Sequence, residues 1–92
     1  MCRPIKFSKL VRLINIANSP TEKDKHSKLI EIINSTCHER LGNNKFRVKT
    51  INDLLKKQNL RSSAFVMYVD IQYNPEIDLI ILDYPFYPKK YP

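Results

Sequence analysis

The chain has 92 residues, enough for one small domain that buries roughly 60–65% of its unfolded surface. A hydrophobic content of 42% is enough for a core, and 27% charged residues is ordinary for a soluble globular chain. No apolar run approaches the ~20 residues that span a bilayer. The single glycine, Gly42, excludes a glycine-rich phosphate loop. Lys and Ile each occur eleven times and Asn eight, the bias of an AT-rich coding sequence such as some viruses, organelles and parasites use.

The net charge of +7 is unevenly placed. Residues 1–12 carry Arg3, Lys6, Lys9 and Arg12 with no acid, and residues 13–44 balance to zero. Residues 45–61 hold Lys45, Arg47, Lys49, Lys56, Lys57 and Arg61 against Asp53 alone, and residues 62–92 are net acidic. Met1-Cys2-Arg3-Pro4-Ile5-Lys6 lacks the apolar stretch of a secretory signal. The expectation is therefore an intracellular, reducing compartment with Cys2 and Cys37 as free thiols rather than a disulfide framework.

In chain order, the first helix is expected from near Ser8. Phe7, Leu10, Val11, Ile14 and Ala17 recur at i, i+3, i+4 and i+7 and form one apolar face. Asn18-Ser19-Pro20 ends it, because a residue preceding proline is driven out of the helical region. Ser19, Pro20 and Glu22 spell a capping box for a second helix whose apolar face is Ile30, Ile33, Cys37 and Leu41, widened by Leu29 and Ile32. Gly42 is then its C-cap. Lys45–Lys49 alternates as a short strand with Phe46 and Val48 inward and three cations outward. Thr50 caps a third, short helix running to Asn59, with Ile51, Leu54 and Leu55 inward.

Ala64–Tyr84 is dense in β-branched and aromatic residues and is broken once at Asn74-Pro75-Glu76, the pattern of a β-hairpin. Phe65, Met67, Val69, Ile71 and Tyr73 share one face of its first strand. Leu79–Leu82 are apolar on both faces, which implies an inner strand or one covered by a partner. Residues 85–92, with three prolines among aromatics, form an extended arm.

The expected fold is thus α+β in the order α-α-β-α-β-β. Its helices pack on one face of a small, mostly antiparallel sheet that ends in the hairpin, with the domain spanning residues 1–84. A second reading starts from Thr50-Ile51-Asn52-Asp53-Leu54-Leu55-Lys56-Lys57-Gln58-Asn59-Leu60-Arg61-Ser62-Ser63-Ala64-Phe65-Val66-Met67-Tyr68-Val69, which resembles a helix-turn-helix unit of bacterial repressors. That resemblance implies a winged helix-turn-helix, with Ser62, Ser63, Val66 and Met67 toward a major groove and the hairpin as the wing.

For function, clustered Lys and Arg release counterions from phosphates, so the expected activity is non-enzymatic nucleic-acid binding, DNA or RNA, through Lys45, Arg47, Lys49, Lys56, Lys57 and Arg61. The alternative is a protein–protein module, an accessory subunit or a homodimer. Its contacts would be Leu79, Ile80, Leu82, Tyr84, Phe86, Tyr87 and Tyr91. No cofactor or metal is expected. Cys2, His26, Cys37 and His38 lack zinc-site spacing. The hairpin acids Asp70, Glu76, Asp78 and Asp83 lack the lysine that accompanies a nuclease carboxylate, and neither histidine has a nucleophile partner.

Overall fold

The computed structural model describes residues 3–51 and 66–83. Within them the order is β1 (Ile5–Lys6), α1 (Phe7–Ala17), α2 (Lys25–Asn34), β2 (His38–Gly42), β3 (Lys45–Ile51), β4 (Val66–Asn74) and β5 (Leu79–Asp83). The five strands form one mixed, curled sheet in which β3, β4 and β5 are successive neighbours. On the outer side of β3, β2 pairs antiparallel with its first half and β1 pairs parallel with its second half.

Each helix buries one stripe. On α1, Leu10, Ile14 and Ala17 fall at i, i+4 and i+7; on α2 the stripe is Lys25, Leu29, Ile32 and Ile33. They close over one sheet face made of Phe46, Val48, Met67, Val69, Ile71 and Ile80. Leu10, Leu29, Val48, Val69 and Ile71 are completely buried, and each such side chain stabilises the fold by about 1.5–3 kcal/mol relative to exposure. Buried Thr50 sits in the same layer, where its hydroxyl donates to the Met67 carbonyl at 3.0 Å.

This order corrects α-α-β-α-β-β. The second helix stops at Asn34, and residues expected to continue it form β2. The cause is the Asn43-Asn44 turn: Asn44 takes the left-handed conformation (φ 58°), which Asn tolerates well, and folds β2 back onto β3. Gly42 is therefore the last residue of a strand and not a helix cap, and Leu41 leaves the expected helical face. Ile30 turns outward at 37% exposure. The Ser19 capping box does not form either. Ser19 closes a turn instead, its carbonyl accepting from the Glu22 N–H at 3.0 Å and its hydroxyl from the Thr21 N–H at 3.4 Å, and α2 starts only at Lys25.

Thr50 belongs to β3 rather than capping a third helix; the rest of that expected helix, residues 52–59, lies outside the described residues. The helix-turn-helix reading fails at Val66 and Met67, which open a nine-residue strand paired with β3 from Val66 to Gln72. Alternating β-branched and aromatic side chains fit a pleated surface with one buried side, and that preference wins here. Nor is Leu79–Leu82 an inner strand among the described residues: β5 ends the sheet, with Ile80 inward and Leu79 and Ile81 outward. Cys37 is disulfide-bonded, so the free thiol expected there is absent; the chain's other cysteine, Cys2, lies outside the described residues.

Candidate nucleic-acid interface

The alternation Lys45-Phe46-Arg47-Val48-Lys49-Thr50-Ile51 decides which side chains meet solvent. Phe46, Val48 and Thr50 are buried under the helices, so Lys45, Arg47, Lys49 and Ile51 line the outer sheet face. Register then sets their neighbours. Lys45 lies opposite Gln72 and Lys49 opposite Tyr68, while Arg47 lies between Glu39 on β2 and Asp70 on β4.

Arg47 is held in place by that arrangement. Its Nε donates to Asp70 Oδ1 at 2.8 Å and its Nη2 to Oδ2 at 3.2 Å, a bidentate pair over a carboxylate that is only 2% exposed. The guanidinium pKa is raised, first by this hydrogen bond and further by the charges of Asp70 and Glu39. An arginine is cationic in any case; the consequence is that its charge is balanced on the spot. Lys45 and Lys49 form no ion pair among the described residues, so they and not Arg47 are the cations β3 offers to an anion.

The parallel pairing of β1 with β3 adds a residue that the expected site left out. Ile5 pairs with Thr50 and Lys6 with Ile51. Ile5 accordingly packs against the core, while Lys6 projects to the outer face beside Lys49. Lys6 also borders two adjoining surface grooves, one with Lys9 and Arg12 and one with Arg3, Lys9 and Leu13. Lys6 therefore joins the basic block 3–12 to the cations of β3. The acid-free spacing of Arg3, Lys6, Lys9 and Arg12 was the only signal in the sequence. Their adjacency to β3 needed a two-residue strand that has no periodicity to read.

A shallow hollow of about 180 Å³ lies on the same face, lined by Cys37, His38, Glu39, Arg47, Lys49 and Tyr68. It is smaller than the roughly 300–1,000 Å³ of small-molecule sites. The hairpin acids do not gather at one site. Asp70 is paired with Arg47, Asp83 lies opposite Asp70 at the sheet edge, and Glu76 is exposed in the turn. Asp78 accepts from the Tyr73 hydroxyl at 2.7 Å and from Lys25 Nζ at 3.3 Å. Among the described residues no three of His, Cys, Asp and Glu converge as metal ligands, and no helix there is long and apolar enough to cross a membrane.

Comparison with family models, curated proteins and solved structures finds no match.

Of the residues expected to contact a protein partner, Ile80 is 2% exposed and belongs to the core, and Leu82 packs against that core. Leu79 is exposed on the outer face, where the sequence did not single out its neighbour Ile81, also exposed. Lys56, Lys57 and Arg61, together with Tyr84, Phe86, Tyr87 and Tyr91, lie outside the described residues.

Proposed function

We propose that this chain is a non-enzymatic nucleic-acid-binding protein whose phosphate contacts run from Lys45 and Lys49 on the outer sheet face, past Lys6 at the sheet edge, to Lys9 and Arg12 on α1. The observation that supports it is the Lys6↔Ile51 register, which lays two basic blocks some forty residues apart in the sequence side by side. Lys56, Lys57 and Arg61 stay in the proposal as cations that follow β3 in the chain. Arg47 contributes less than its sequence position implied, because Asp70 already balances it.

The test is affinity against salt. Five phosphate contacts would weaken duplex binding about 500-fold between roughly 50 and 200 mM salt, from a slope near −0.9 per contact. Binding that ignores salt, or no binding at low salt, would overturn the proposal.

A second reading rests on Leu79 and Ile81, exposed side by side on the outer face of β5. A protein partner or a second copy would cover them. A doubled mass in light scattering that falls to the monomer value in Leu79→Ser/Ile81→Ser would favour that reading.

A further inference from the structure

The outer face carries an aromatic ring set among its cations, and that arrangement narrows the kind of nucleic acid it fits. Tyr68 lies on β4 directly across from Lys49, is 45% exposed, and its hydroxyl has no hydrogen-bond partner among the described residues. Buried tyrosines pair the hydroxyl; Tyr68 does not among the described residues, and nearly half of its surface is left in contact with water. The hollow beside it reaches Lys49 on one side and Cys37 and His38 on the other.

We infer that Tyr68 is a stacking platform for an unpaired base and that the partner is single-stranded nucleic acid; this rests on the nucleic-acid reading proposed above. A duplex keeps its bases stacked on one another and offers a flat protein face only phosphates and groove edges. A single strand can splay a base onto a ring and pass its phosphates to flanking lysines, a division of labour that sheet-borne aromatics and neighbouring cations serve. With Tyr68 under the base and Lys49 across from it, Lys45 and Lys6 lie to either side of Lys49, so a row of cations runs beside the ring. Glu39, on the far rim of the hollow, disfavours a phosphate there and confines the backbone to the lysine side. The small hollow suits one base rather than a longer intercalated stack.

The experiment is fluorescence anisotropy with labelled single-stranded and duplex oligonucleotides of equal length at one fixed low salt concentration. The full chain is compared with Tyr68→Ala, Tyr68→Phe and Lys49→Ala, each checked for native circular dichroism. The wild-type chain should prefer the single strand. Tyr68→Ala should lose roughly 5- to 100-fold of single-strand affinity and leave duplex affinity unchanged, Tyr68→Phe should retain the preference, and Lys49→Ala should weaken both substrates. If Tyr68→Ala changes neither affinity, or lowers both alike, or if the duplex binds more tightly, the stacking role is overturned while the nucleic-acid reading stands on Lys49→Ala. If the wild-type chain binds neither substrate, both inferences fall together.

Discussion

The side-chain amide of Asn18 occupies both free backbone groups of Ile80. Its Nδ2 donates to the Ile80 carbonyl at 2.8 Å and its Oδ1 accepts from the Ile80 N–H at 3.0 Å, across 62 residues of chain. Asn18 is also the residue that ends α1, its N–H returning to the Ile14 carbonyl. One residue thus caps a helix with its backbone and, through its side chain, takes the place of a further strand alongside β5. It also blunts an edge that would otherwise offer unpaired donors and acceptors to another chain.

Asn18→Ala should therefore destabilise the protein by about 2 kcal/mol, within the ~1–3 kcal/mol expected when buried backbone groups lose their partners. Asn15→Ala, at an exposed site on the same helix, should stay within about 0.5 kcal/mol. Urea denaturation measures both. Equal effects would mean that the amide bridge adds nothing to stability.

Arg47 and Asp70 yield an ordering. Removing Arg47 strands a carboxylate that is 2% exposed, whereas neutralising Asp70 leaves a guanidinium whose side chain is 38% exposed and can be hydrated. Arg47→Leu should cost more stability than Asp70→Asn, and Arg47→Leu/Asp70→Leu should recover most of the loss, since a buried pair replaced by apolar groups is often neutral. Asp70→Asn should also release Arg47 as a cation and tighten polyanion binding, with the salt slope steeper by about one contact. Denaturant midpoints that rank Asp70→Asn as the more damaging change would refute this account.

What the sequence disclosed follows physical rules that act locally. The face of α1, the inward Phe46 and Val48, and the split of β4 into Met67-Val69-Ile71 against Tyr68-Asp70-Gln72 were legible because period 3.6 or period 2 is written into the residues themselves. β2 was missed because Cys37 and Leu41 happen to continue the helical spacing of Ile30 and Ile33, and the deciding residue was Asn44 in a left-handed turn. Of the candidate site, the outward direction of Lys45, Arg47 and Lys49 could be read directly. The neutralisation of Arg47 by Asp70, twenty-three residues away, and the arrival of Lys6 beside Lys49 depend on register between strands, which no local pattern encodes.

Tyr73, Asp78 and Lys25 make stability depend on pH at both ends of the scale. Asp78 is held below the ordinary 3.8 by the Tyr73 hydroxyl first and by Lys25 second. Its contribution is complete above the ordinary carboxylate value and is lost as pH falls through the lower folded value. Tyr73 is raised above its ordinary 10.0, chiefly by the same hydrogen bond, so its contribution is complete below 10.0 and is lost as pH rises through the folded value. Tyr73→Phe removes the shared bond. The stability gap between wild type and Tyr73→Phe should be level at intermediate pH and should narrow at both extremes, and it should be small because the groups meet solvent. Urea midpoints from about pH 2 to about pH 11 check it; a gap that is constant with pH would mean that the bond carries no titration linkage.

Lys6 separates a located interface from mere net charge. Lys6→Ala and Lys23→Ala each remove one positive charge, but Lys6 stands at the start of α1 beside Lys49, and Lys23 is an exposed residue between the helices, beyond the other end of α1. An eleven-residue helix is about 16 Å long, well past the ~8–10 Å over which exposed charges still act at moderate salt. If phosphates lie along Lys45, Lys49 and Lys6, Lys6→Ala lowers the salt slope by about one contact and Lys23→Ala leaves it unchanged. If attraction is diffuse, the two variants weaken binding equally at low salt and keep the same slope. Affinities for one oligonucleotide over a range of salt concentrations decide between them, and equal slopes would remove Lys6 from the interface.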